Sequence, residues 1–303
     1  KMALNRALFT KQLNLGLNTV FGMEYDRYPE QWRSLYSTEQ SMKAFEEDVQ
    51  MIGFGAAPTK AEGAMINYDS GREGFVSRYV HETVALAFAI TEEAEEDGLY
   101  GSLGAKYARA LARSMQQTKE IKGANIFNNA TTTSTGGDGE ALMNGSHPLG
   151  GGGTASNILG TPADLSETSL ETLLVQISQA VDDRSIPVAL SGRKLAVPPQ
   201  LVFVAERIIK SNLRPGTADN DINAMRNMGM IPEGVVVNQR FTNPDQYFIL
   251  TDCPDGMKHF VRAPIKKAVE GDFETGNLRY KCRERYSFGF TDWRGVYGSE
   301  GVA

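Results

Sequence analysis

The run from Glu92 to Asn129 constrains this chain more than any other, because its core, Leu99 to Ile126, has the pattern of one long amphipathic helix. On a helical wheel Leu99, Leu103, Tyr107, Ala110, Leu111, Ser114, Thr118 and Ile121 gather on one side, expected to pack. Lys106, Arg109, Arg113, Gln116 and Glu120 gather on another, expected to meet something polar. The acids Glu92, Glu93, Glu95, Glu96 and Asp97 precede the helix and Lys119 and Lys122 lie near its end, the sign order that the helix dipole favours. Gly123 and the pair Asn128 and Asn129 supply stop signals.

A helix of this length needs other elements to cover it, and 303 residues with 41% hydrophobic and 22% charged content can build one large domain or two smaller ones. A net charge of −6 argues against a general nucleic-acid binder, so any such contact is local. No apolar run reaches the roughly 20 residues of a membrane span, and no charged-then-apolar leader opens the chain. The expectation is a soluble chain without membrane contact. Cys253 and Cys282 have no zinc-site spacing and are too few for a disulfide framework, so free thiols are expected, with a bridge between them as the alternative.

Before the helix, residues 3–20 mix helical and irregular signals, and Phe21, Tyr25, Tyr28, Trp32 and Tyr36 follow among charges. Two readings fit: an arm lying on a partner, or a segment folded back on its own domain. From Ser41 to Ile90 the pattern is extended, with Val76, Val80, Val84, Leu86, Phe88 and Ile90 at even positions. Phe45 to Phe54 is the expected partner strand, and Gly55 to Gly63, which includes Pro58 and Lys60, supplies the turn. A two-stranded ribbon is marginal alone, so this protruding hairpin should lean on another surface, a neighbouring chain at its tip.

After the helix, Thr131 to Pro162 is dominated by Thr, Gly, Asn and Ser and predicts irregular backbone with few apolar contacts of its own. Gly150 to Gly153 lack the lysine and the strand context of a phosphate loop. A layered α/β piece follows. Asp164 with Glu167, or Thr168 with Glu171, offers a capping box before Leu170, Leu173, Leu174 and Ile177. Lys194 to Val197 predicts a strand, Pro198 and Pro199 open a second helix, Asp219 to Met228 forms a third, and strands return at Gly234 to Asn238 and Tyr247 to Thr251.

The end of the chain is strand-rich: Met257 to Ala263, Lys266 to Glu270 and Leu278 to Phe290. In the last of these Arg279, Lys281, Arg283 and Arg285 share one face, and Tyr280, Cys282 and Tyr286 the other. Like charges so arranged repel unless solvent, acids or another subunit answer them. The histidines His81, His147 and His259 have no metal spacing and no nucleophile motif accompanies them, so no catalytic residue, metal site or cofactor is expected and the chain is not read as an enzyme.

The order of aromatic arm, long hairpin, long helix, α/β piece and returning strands resembles the α+β major capsid protein fold of tailed bacteriophages, the Hong Kong 97 type. Asn144 to Gly152, Ala218 to Asn223 and Arg285 to Gly298 look like motifs of head proteins related to the Mu major head subunit. The resemblance implies an N-arm at 1–42, an E-loop hairpin with peripheral strands at 43–90, a spine helix and Gly-rich loop at 91–165, an axial domain at 166–254 and returning peripheral strands at 255–303. It implies a structural protein of an icosahedral head enclosing double-stranded DNA, made in the host cytoplasm and incorporated in the virion. The alternatives are a non-viral compartment shell of the same fold or another virion structural protein. The expected partners are further copies in hexamers and pentamers, portal and scaffolding proteins, and decoration proteins. Pro58, Lys60, Arg279, Lys281, Arg283 and Arg285 are the candidate inter-subunit contacts, and Lys106, Arg109 and Arg113 a candidate inner-surface stripe in non-specific contact with DNA.

Overall fold

The computed structural model describes residues 6–91, 93, 100–213, 222–272 and 276–302. The acidic run at 92–97 and Leu99, the 218–221 part of one motif and the 273–275 part of one turn lie outside the described residues, apart from Glu93. The chain opens with helix α1 (Arg6–Tyr25), followed by strands β1 (Ser37–Gln40), β2 (Phe45–Ile52), β3 (Arg72–Val80) and β4 (Glu82–Ile90), then the long helix α2 (Tyr100–Asn128). After it come the short pair β5 (His147–Pro148) and β6 (Thr154–Ala155), helix α3 (Glu167–Ser178), β7 (Gly192–Val197), α4 (Val202–Lys210) and α5 (Ala224–Met228). Strands β8 (Val235–Val237), β9 (Tyr247–Thr251), β10 (Met257–Gly271), β11 (Leu278–Phe290) and β12 (Val296–Ser299) complete it.

Two four-stranded sheets organise these elements, in the orders β1-β10-β11-β4 and β12-β9-β7-β8. Helices α1 and α2 cover one face of the first sheet, where Leu17, Phe21, Ala108, Leu111, Ala112, Met115, Tyr280 and Cys282 form one buried cluster. A larger core joins the second sheet to α3, α4, the end of α2 and the arm residues Trp32 and Tyr36. Both cysteines are unbonded thiols.

The face of α2 that packs is Ala108, Leu111, Ala112, Met115, Ala124 and Phe127, while Tyr107 and Ile121 of the expected face are exposed. The buried stripe uses small residues because its neighbours come close: a Cβ on Gly123 would sit 3.0 Å from Cβ of Trp32. Gln116 and Glu120, expected on the solvent side with the cations, are buried.

Their burial has a purpose, because they hold the aromatic arm against the helix. The Glu120 carboxylate accepts the backbone N–H groups of Gln31 at 2.8 Å and Trp32 at 3.1 Å, Gln116 donates to the Tyr28 carbonyl, and the Tyr36 hydroxyl donates to the Gly123 carbonyl. Phe21, Trp32 and Tyr36 are buried within the chain itself, which is the folded-back reading of the two. Each such side chain contributes about 1.5–3 kcal/mol of burial.

The hairpin is shorter than expected on one side. Strand β2 pairs with β3 alone, from Phe45 opposite Val80 to Ile52 opposite Arg72, whereas β4 leaves the hairpin at His81 and pairs with β11. Strand β10 is continuous where two strands were expected, with irregular register between Val261 and Lys266 around Pro264. The N-cap of α3 is Ser166, reciprocally bonded with Ser169, in place of either expected box.

Thr131 to Pro162 is irregular, but it is not poor in contacts. Leu142, Met143, Leu149 and Leu159 are buried in the main core, because polar side chains replace missing ladder bonds. Asn157 donates to the carbonyls of Leu142 and Val296, and His147 stacks on Trp293 at 4.4 Å with its Nδ1 2.7 Å from Asp138.

Candidate assembly surfaces

Three surfaces could carry function, and the first is the hairpin beyond its paired strands. Residues 53–71 have no strand partner among the described residues, and Phe54, Met65, Ile66 and Tyr68 are exposed there, Tyr68 at 93%. Pro58 and Lys60 sit at this end and are exposed. So much apolar surface on a projecting loop is the kind of patch that marks an interaction site.

The loop does not wave freely, because a turn over 130 residues from β2 in sequence grips it. Arg184 donates to the Asp69 carboxylate at 2.7 Å and to the Ser70 carbonyl at 2.8 Å, and Asp69 also accepts the Gly55 N–H at 2.8 Å. The Gly55 N–H and Arg184 together hold the Asp69 carboxyl below its usual range. Next to it, Asp183 accepts from Gln50 of β2 and from the Gly150 N–H, and its carboxylate meets the buried Arg294 at 3.3 Å. Arg72 donates to the Gly150 carbonyl. Only glycine fits at 151, since a Cβ there would lie 2.1 Å from the Asp183 carbonyl oxygen. Sequence reasoning missed Asp183 and Arg184, and no spacing or motif links them to residues so distant in the chain.

The second surface is the uncovered face of the first sheet. Arg279, Lys281 and Arg283 are exposed and Tyr280, Cys282, Glu284 and Tyr286 are buried, as alternation along β11 requires. Arg279 pairs with Asp272, and Arg285 at the inner end of the row is half-buried with its Nε enclosed. Lys281 and Arg283 have no carboxylate partner among the described residues. Under the opposite face burial pushes the Cys282 thiol up to about 11 and raises the Glu284 carboxyl, which the Lys119 ammonium meets at 3.5 Å.

The third is the cationic side of α2. Lys106 and Arg109 are exposed, but Arg113 does not stand with them as an unengaged charge: its Nε donates to Glu24 of α1 at 2.6 Å. That bond keeps the Glu24 carboxyl below the ordinary range. The structure brings Lys106 and Arg109 onto one exposed side and gives Arg113 to the contact between the two helices.

A family model described as phage capsid protein matches residues 75–299. A search among curated proteins finds no match. Among solved structures, the virus-like particle from Pyrococcus furiosus is similar over 94% of this chain and 98% of that chain, with 12% identity and a TM-score of 0.55. The capsid of an empty GTA particle is similar over 90% of each chain at 11% identity, with a TM-score of 0.54. The procapsid of bacteriophage JBD30 is similar over 99% of this chain and 77% of that one at 13% identity, with a TM-score of 0.53.

Proposed function

The chain belongs to the phage capsid protein family and has the α+β Hong Kong 97-type fold, and from that premise we propose that its copies close into an icosahedral head of hexamers and pentamers around packaged double-stranded DNA. It is a structural shell protein, and its place is the virion capsid. The observation that carries the assembly step is the distal hairpin, whose Phe54, Met65, Ile66 and Tyr68 stay exposed while Arg184 fixes the base of the loop through Asp69 and Ser70.

In this reading the tip residues Pro58 and Lys60 meet a neighbouring copy, and Arg279, Lys281, Arg283 and Arg285 add a cationic surface to contacts between chains. Lys106 and Arg109 face the interior, where DNA presents about one charge per 1.7 Å, so even a short stripe on an acidic protein meets phosphate without reading sequence. Arg113 contributes less, being paired with Glu24. The protein is synthesised in the host cytoplasm, performs no catalysis, uses no cofactor, and meets portal, scaffolding and decoration proteins during and after assembly. The divisions at 42, 90, 165 and 254 mark the N-arm, E-loop, spine region, axial domain and returning strands.

Negative-stain microscopy of the purified chain tests this. Closed shells of uniform diameter are expected; tubes or open rings would overturn the head reading in favour of another virion part. Closed particles that enclose protein and never nucleic acid in the producing cell would favour a compartment shell.

A further inference from the structure

Strand β4 contains the longest apolar run of the first sheet, Val84 to Ile90, yet it is the sheet's most exposed strand apart from short β1. Seven consecutive apolar residues belong to a strand covered on both sides, whereas β4 lies at an edge. Among the described residues β11 is its one sheet neighbour, and the other edge carries none. Leu86 is 46% exposed, and Tyr107 of α2, whose ring lies 5.7 Å from that of Phe88, is 50% exposed beside it. A long apolar edge with open backbone groups is a template for another strand.

The two faces of this edge say what that strand must carry. On the helix-facing side Leu86, Phe88 and Tyr107 present apolar surface. On the opposite side the outward residues of β4 are Ala85, Ala87 and Ala89, which stand directly across from Arg283, Lys281 and Arg279. Lys266, exposed on β10, lies across from Arg283 on the far side. An added strand would lie roughly 10 Å from β11, two strand spacings, with only alanine methyl groups between. Long cationic side chains reach over such a row. Alternate residues along a strand repeat at about 6.7 Å, so successive cations match successive side chains of one face of the newcomer.

We propose that the open edge of β4 binds an extended segment of a partner protein by strand addition, with acidic side chains alternating with apolar ones. The acids meet Lys281 and Arg283, and the apolar residues cover Leu86 and Tyr107. Main-chain hydrogen bonds supply affinity in this mode and the alternating side chains supply selectivity. A second copy of β4 is a poor occupant, because antiparallel self-pairing brings two cationic rows onto one face. Among the described residues no strand has the required alternation: β2, the most acidic of them, reads Phe45-Glu46-Glu47-Asp48, with acids on both faces. The inference goes beyond shell formation and is tested on the unassembled subunit, so failure to assemble does not decide it.

The probe is a capped synthetic heptapeptide alternating glutamate and valine, titrated into the full chain and read by fluorescence anisotropy. Saturable binding is expected, at least ten-fold tighter than that of the same peptide with lysine for glutamate. Methylating the backbone nitrogens on the hydrogen-bonding side should abolish it. Substituting Lys281→Glu together with Arg283→Glu, both at exposed positions, should reverse the preference between the two peptides while circular dichroism stays unchanged. Equal binding of the methylated peptide would reduce the site to charge alone and overturn the proposal. So would absent saturation, no response to the double variant, or a concentration-dependent dimer that Leu86→Lys dissolves and the peptide does not compete with, which would assign the edge to a second copy.

Discussion

His259 is the residue whose surroundings most sharply set a pH dependence. It is fully buried, stacked at 4.4 Å on Phe288 and 4.3 Å from Trp32, and neither ring nitrogen has a hydrogen-bond partner among the described residues. Burial, with the Lys119 and Arg33 charges nearby, pushes its pKa down to about 3. The unfolded chain takes up this proton below about 6.5 while the folded chain refuses it until about 3. The associated stability is therefore complete above pH 6.5 and is lost progressively as pH falls toward 3. At pH 5 the loss from this one group is about 2 kcal/mol. His81, also depressed by burial, adds in the same direction. Denaturant titrations at pH 7 and pH 5 should show a smaller drop in His259→Phe than in the parent, and equal drops would remove His259 as a source. Glu120 acts differently, by accepting two backbone N–H groups. Glu120→Ala leaves both without an acceptor and should cost about 1–3 kcal/mol, with Trp32 fluorescence shifting toward that of a solvated indole.

At the scale of elements, the hairpin is the piece whose posture depends on one turn. Arg184→Gln removes the grip on Asp69 and the Ser70 carbonyl, so amide exchange across 53–71 should quicken while the melting temperature of the subunit changes little. Exchange that stays at the parent rate would mean the loop is held by something else. Element order, the long helix, the alternation of β11 and the strands β7 to β9 follow from periodicity, because a helix repeats near 3.6 residues and a strand at 2. The packing face of α2 did not follow, since Tyr107 and Ile121 offer more apolar surface than Ala108, Ala112 and Ala124, although the small residues are what allow α1 and the arm to approach. The burial of Glu120 and Gln116 did not follow either, for a related reason. A polar residue type signals exposure unless its backbone partners are known, and those partners lie 88 residues away for Glu120 and 136 for the Trp293 carbonyl at Asn157. Contacts made across such distances, like those of Arg184, leave no trace in spacing.

At the scale of the whole molecule, the subunit should fold without its hairpin tip and fail to assemble. Replacing residues 56–68 by two glycines is expected to keep the melting temperature within a few degrees, since none of these residues is buried, while sedimentation shows no particles. Particles of normal size from this variant would discard the tip as a contact. Replacing Lys106 and Arg109 by glutamate should leave particles forming but lower their nuclease-protected DNA, and unchanged DNA content would deny the stripe an interior role. Strands β3 and β4 are covalently continuous. A single residue, His81, separates the strand that ends in the exposed loop from a nine-residue strand laced along its length to β11. A pull on the loop along this axis loads those inter-strand hydrogen bonds in shear, many at once, where peeling from the end would break them in turn. The projecting arm is thus spliced into the sheet like a tendon into bone, and tension between subunits is spread over the sheet that lies beneath α1 and α2.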